Sequence, residues 1–184
     1  DVVALLGEPD SANAWCYLGM VCHDQDRFDE AVACYGRALE LRPGFPVALS
    51  NLGNTFKQQG RLAESEASCR EALRYKPDYS TAYNNLGVTL KAMGDLDGAI
   101  AEYRTAASLQ PNDVNAHFNL GLGLMEKRQP EAVVSEFRTA LHLRPNDAKI
   151  RLNLGNALAG MGQRMEAAQE LRQYLRLELD TPAN

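Results

Sequence analysis

A period of 34 residues runs through this chain. Leu-Gly recurs at Leu18-Gly19, Leu52-Gly53, Leu86-Gly87, Leu120-Gly121 and Leu154-Gly155. Prolines keep the same spacing at Pro9, Pro43, Pro77, Pro111 and Pro145. A third set in the same phase is small or modest in size: Ala31, Ser65, Ala99, Val133 and Ala167. Three sets sharing one period exclude coincidence. A period of this length means that each unit is a supersecondary element unable to bury its apolar face alone, so neighbouring units must stack.

Numbering positions from Ala12 as the first, apolar residues at 4, 7 and 11 fall on one face of a helix. In the second unit they are Leu49, Leu52 and Phe56. Gly60 breaks that helix, and Arg61-Leu62-Ala63-Glu64 leads into a second, whose inward face carries Ser65, Cys69, Ala72 and Leu73. Pro77 ends it, because proline lacks an N–H and disfavours helix just before itself. Glycine at position 8 and small residues at 20 and 27 predict a close approach of the two backbones. The expected fold is all-α: a right-handed α-solenoid of antiparallel helix pairs, with the first helices lining a concave wall.

The unit from Ala12 reads Trp15, Leu18-Gly19, Cys22, Ala31, Tyr35, Ala38 and Pro43. It resembles the tetratricopeptide repeat (TPR), W-x2-L-G-x2-Y, A-x3-F, P, with Cys22 replacing an aromatic. The resemblance covers nearly the whole chain and implies a single array. Its units are 12–45, 46–79, 80–113, 114–147 and 148–181, preceded by a second-helix remnant of an earlier repeat at 1–11 and followed by a tail at 182–184. On this reading the chain is an excerpt of a longer array. The last unit departs from the pattern, with Arg151 in the aromatic slot, Tyr174 in a small slot and Leu179 in place of the proline. In the fourth, Arg128 replaces the inter-helix glycine and Pro130 follows, a residue well tolerated at a helix start. A bare apolar end is expected to pair with another copy, so self-association through uncapped repeat ends is predicted.

Composition narrows the function. The 184 residues are 45% hydrophobic and 23% charged, which argues against disorder. A net charge of −5 gives no basic stripe for nucleic acid. No apolar run approaches the ~20 residues of a membrane span. Cys16, Cys22, Cys34 and Cys69 form no C-x-x-C pair and read as small buried residues of a reducing compartment, hence a cytoplasmic protein. His23, His117 and His142 occupy unrelated repeat positions, and His23-Asp24-Gln25-Asp26 lacks EF-hand spacing. No catalytic residues, metal or cofactor are expected, and the chain reads as non-enzymatic.

The opposite face of the first helices, positions 2, 5, 6, 9, 12 and 13, is expected to line the groove. Position 6 carries Asn51, Asn85, Asn119 and Asn153, and position 9 carries Asn54 and Asn156. Asparagine is a mediocre helix former, so its recurrence asks for a reason. A side-chain amide offers a donor and an acceptor to the backbone of an extended peptide. Helices about 8–10 Å apart would meet roughly every third residue of a chain rising about 3.3 Å per residue. This ladder resembles the one in the TPR superhelix of O-GlcNAc transferases. Asparagine before Leu-Gly is also common in TPR proteins at large, so peptide contact and repeat consensus both stand. Lys57 and Lys91 are expected side by side on the wall, and Phe118 with Leu122 and Met125 to form an apolar patch. The cations of a dicarboxylate clamp for chaperone tails are missing. Three functions follow: a scaffold binding extended peptide segments of partner proteins, the substrate-recruiting arm of an O-GlcNAc-transferase-like enzyme, or a self-assembling array.

Overall fold

The computed structural model describes residues 11–180. The remnant expected at 1–11, apart from Ser11, and the tail at 182–184 lie outside the described residues. Among those, every regular element is a helix. The first helices of the pairs are α1 (Ala12–Asp24), α3 (Pro46–Gln58), α5 (Ser80–Ala92), α7 (Val114–Glu126) and α9 (Ala148–Gly160). The second helices are α2 (Phe28–Leu41), α4 (Leu62–Tyr75), α6 (Leu96–Leu109), α8 (Pro130–Leu143) and α10 (Arg164–Asp180). The fold is all-α, built as expected from pairs of helices joined by short turns.

Local chemistry sets the helix ends. Ser11, Asp113 and Asp147 cap α1, α7 and α9 by accepting from the amides of Ala14, Asn115 and Ile150. Pro46 and Pro130 open α3 and α8, where a missing N–H costs nothing. Arg42, Lys76 and Arg144 each precede a proline and leave the helical region, with φ of −144°, −138° and −134°. The turns between paired helices need a left-handed residue. Gly60, Gly94 and Gly162 supply it at φ of +75° to +88°, and Asp26 and Arg128 are held there at +57° and +55°.

By internal packing the chain divides into two compact units at Glu102 and Tyr103, within α6. In the first, α1 packs on α2, α3 on α4, and first helix on first helix from α1 through α3 to α5. Its core gathers Cys16, Leu18, Cys22, Ala31, Cys34, Tyr35, Ala38 and Ala48. A second cluster holds Leu49, Ala72 and Ala82, with Leu73 and Tyr79 against it. Buried polar groups are satisfied in a chain: Ser65 Oγ donates to Thr89 Oγ1 (2.7 Å), which donates to the Asn85 carbonyl (2.9 Å). In the second unit α7, α8, α9 and α10 pack consecutively around Leu120, Leu124, Val133, Phe137, Ile150, Leu154 and Leu158.

The glycines at position 8 make room for a side chain of the paired helix, and at Gly53 for its backbone as well, where a Cβ would lie 3.1 Å from the Ser65 carbonyl. A Cβ on Gly19 would lie 2.6 Å from the Tyr35 ring, on Gly53 2.7 Å from Cys69 Sγ, on Gly121 2.5 Å from the Phe137 ring and on Gly155 2.8 Å from Leu171. The space is a slot for the side chain at position 24 of the paired helix. Position 4 shows a second regularity. Tyr83 Oη donates to the Pro77 carbonyl (3.1 Å), His117 Nε2 to that of Pro111 (3.0 Å) and an Arg151 Nη to that of Pro145 (2.7 Å). Arg151 therefore does the work of the aromatic it replaces and adds a 2.5 Å ion pair to Glu170, half-buried with it. What reads in sequence as decay of the last repeat is, at this position, a substitution that keeps the hydrogen bond.

Candidate functional site

In the first unit the candidate residues sit on α3 and α5. Asn85 Nδ2 donates to both the carbonyl (3.3 Å) and the hydroxyl (3.0 Å) of Ser50, a fully buried residue one repeat earlier. Asn54 Nδ2 reaches His23 Nε2 at 3.2 Å. His23 Nδ1 lies 2.9 Å from Thr55 Oγ1, and that hydroxyl already donates to the Asn51 carbonyl. The Nδ1 therefore carries the proton, and Nε2 accepts from Asn54. The Phe28 ring meets His23 edge-on at 5.5 Å. Sequence reasoning passed over His23 because its partners lie a full repeat away. Asn51 is half-buried with its amide unbonded within the described residues.

Lys57 and Lys91 end α3 and α5 in corresponding places, both half-buried. Burial pushes the Lys57 amine below the usual lysine range, and it has no carboxylate partner among the described residues. At position 5, Cys16 and Ser50 are buried, contrary to expectation, while Asn84, Phe118 and Leu152 are half-buried. A residue 100° round the helix from the core stripe is still covered once the neighbouring repeat stacks on it.

In the second unit the candidates sit on α7 and α9. Phe118 packs on Phe137 at 5.7 Å and lies under the Lys149 ammonium at 5.5 Å. Asn119 is half-buried. Asn153 Nδ2 donates to the Lys149 carbonyl one turn back (2.8 Å), while Asn156 is exposed. Beside Asn156 opens an apolar pocket of about 320 Å³, between the α7–α8 turn and α9. A cavity of about 340 Å³ on α8, α9 and α10 is lined instead by the paired charges Arg138–Glu166 and Arg151–Glu170.

One arrangement recurs. Asn54, Asn85 and Asn153 each spend at least one Nδ2 N–H on another group of the protein and leave Oδ1 unbonded. Asn85 presents a fixed acceptor alone, whereas Asn54 and Asn153 present a fixed acceptor with one N–H beside it.

Family models of the tetratricopeptide repeat match residues 12–45, 53–94 and 89–127, more than half of the sequence. The chain belongs to the tetratricopeptide repeat family. Solved TPR structures share its fold at low identity. PilF from Pseudomonas aeruginosa is 20% identical with a TM-score of 0.86, over 97% of this chain and 80% of PilF. MamA from Desulfovibrio magneticus RS-1 is 19% identical, TM-score 0.78, over 94% and 97%. YrrB, described as a TPR protein with an unusual peptide-binding site, is 22% identical, TM-score 0.70, over 96% and 91%. No curated protein sequence matches.

Within this TPR chain the cysteines are unsuited to chemistry. All four are buried and free, and burial first of all pushes the Cys34 thiol to about 11 and that of Cys69 to about 12. Among the described residues no three His, Cys, Asp or Glu side chains are grouped to hold a metal ion, and no helix is long and apolar enough to cross a membrane.

Proposed function

We propose that this TPR chain is a non-catalytic interaction module that holds extended peptide segments of partner proteins against the exposed faces of its first helices. In the first unit the contacts come from Asn51, Asn54, Asn85, Lys57 and Lys91. In the second they come from Phe118, Asn119, Asn153 and Asn156. The observation that carries the reading is the set of unbonded Oδ1 atoms on Asn54, Asn85 and Asn153, each held in place by its own N–H bonds. A fixed acceptor loses little freedom on binding, and the N–H groups of an extended backbone are its natural partners. YrrB, of the same fold, is a TPR protein with a peptide-binding site. The unpartnered Lys57 adds a preference for ligands with an acidic residue.

Panning the chain against a phage library of random peptides, then titrating the selected peptides by fluorescence anisotropy, tests the proposal. The Asn51→Ala/Asn85→Ala variant is expected to bind about tenfold more weakly, with an unchanged far-ultraviolet circular dichroism spectrum. Equal affinity for wild type and variant overturns the role of the asparagines.

A second reading, self-association, rests on α10, where Leu175 is 56% exposed and Leu179 83%. These lie four residues apart on one helix face.

A further inference from the structure

The pocket beside Asn156 is bounded by Met125, Pro130, Val133, Ala157 and Gly160, and its rim carries Arg128 and Asn156. Two residues there break local rules in opposite senses. Gly160 is the last residue of α9, has no positive φ, and a Cβ added to it meets nothing within 4 Å. Neither backbone geometry nor packing asks for glycine at that point, yet its bareness keeps the mouth of the pocket open. Arg128 is the converse. It is held at φ +55° in the turn position where three other repeats have glycine, and it makes no ion pair or side-chain hydrogen bond among the described residues. Asp26 takes the same conformation in the first repeat, so the distinguishing feature is the exposed, unpaired guanidinium at the rim of an apolar cavity, where a ligand carboxylate can meet it.

The corresponding place in the first repeats is occupied by a bonded cluster of side chains. There His23 stands in for Met125, Phe28 for Pro130 and Thr55 for Ala157. The imidazole fills the space, edge-on to Phe28 and bonded to Thr55. Smaller or more flexible residues at all three positions leave the second unit with an apolar hole. At about 320 Å³ it lies at the low end of ligand pockets, about 300–1,000 Å³.

We infer that this pocket receives one large apolar side chain of the bound peptide, and that Arg128 selects an aspartate or glutamate beside it. The inference rests on the peptide-binding reading and sharpens it, by giving the second unit a sequence preference that the asparagines do not impose. Charge complementarity fixes the occupant: an apolar anchor alone leaves the Arg128 guanidinium unmatched, whereas a neighbouring carboxylate pairs with it in two-pronged fashion. Asn156, exposed and unbonded, lies within the same rim to hold the peptide backbone on either side of the anchor.

The test uses the full chain and a phage library of random peptides, panned in parallel against the wild type, Gly160→Leu, Ala157→Phe, Arg128→Gly and Asn119→Ala/Asn153→Ala. Wild-type selections are expected to share an apolar residue with an acidic residue within two positions. Fluorescein-labelled versions should bind Gly160→Leu and Ala157→Phe at least tenfold more weakly. Arg128→Gly should keep the apolar preference and lose the acidic one. Gly160→Leu guards against misfolding, since its new side chain meets open space. Loss of the motif in the pocket variants with retention in the asparagine variant supports the pocket and refutes the ladder in this unit. The reverse result refutes the pocket and supports the ladder. Wild-type selections without the motif overturn the inference, and no selected peptide at all overturns both readings.

Discussion

Lys57 is the residue at which stability and the proposed binding role pull in opposite directions. Its amine is partly withdrawn from water, without a compensating carboxylate among the described residues, so folding favours the neutral form. The folded-state pKa therefore lies below the unfolded value of about 10.4. Below the folded pKa both states are protonated, and the folded state bears the full cost of the charge. Between the two values the unfolded state binds more protons at this site, so the contribution of Lys57 to stability rises with pH across that window. The group remains substantially hydrated, so the cost is small. Lys57→Met is expected to raise the melting temperature slightly at pH 7. Between pH 8 and pH 10.5 the thiols of Cys34 and Cys69 and the phenols of Tyr35, Tyr79 and Tyr103, all held above their usual range by burial, lose protons first in the unfolded state and lower stability. The variant should lose more than the wild type there, because it lacks the opposing contribution of Lys57. The same variant should bind acidic peptides more weakly. Thermal melts across that pH range, beside anisotropy titrations, check both halves, and a variant melting below the wild type at pH 7 contradicts the first.

At the scale of the helix pair, the glycines divide into those demanded by packing and those that are not. Gly121 faces the Phe137 ring, which is fully buried and has no room to retreat. Gly121→Ala is expected to cost about 1–3 kcal/mol through overpacking. Gly160→Ala should instead stabilise α9, by up to about 1 kcal/mol, through helix propensity alone. Urea unfolding with both variants decides this, and a destabilised Gly160→Ala would mean that the glycine has a structural role. The contrast also marks what the sequence discloses. Periodicity announced the paired helices, their proline ends and their glycine turns, because those signals are local to one unit. It could not say that position 8 is a slot for position 24, or that Arg151 would reproduce the Tyr83 hydrogen bond to a proline carbonyl. It also could not place His23 between Asn54 and Thr55. Each of these depends on which side chains meet after the helices pack. The asparagines were legible as a recurring polar position, but the commitment of their N–H groups was not, since Ser50 and His23 lie in the preceding repeat.

For the molecule as a whole, the balance to be weighed is between α10's exposed apolar residues and the net charge. Leu175 and Leu179 present adjacent side chains on one face of the helix, and Met165, 87% exposed, lies elsewhere on it. Contiguous exposed leucines favour association with a second apolar surface. Against this, a net charge of −5 makes two copies repel one another. At ~0.15 M salt the Debye length is about 8 Å, which weakens repulsion between distributed surface charges while leaving burial of leucine intact. Self-association should therefore strengthen as salt is raised, the opposite of an interface held by ion pairs. Sedimentation velocity over a hundredfold range of protein concentration, at low and high salt, should show a concentration-dependent shift that is larger at high salt. Leu175→Lys/Leu179→Lys should hold the protein monomeric under every condition while its melting temperature stays near that of the wild type, because both side chains are already largely in water. A wild-type chain that sediments as a monomer throughout, or a double variant that still associates, removes α10 as an interface and leaves peptide capture as the function to pursue.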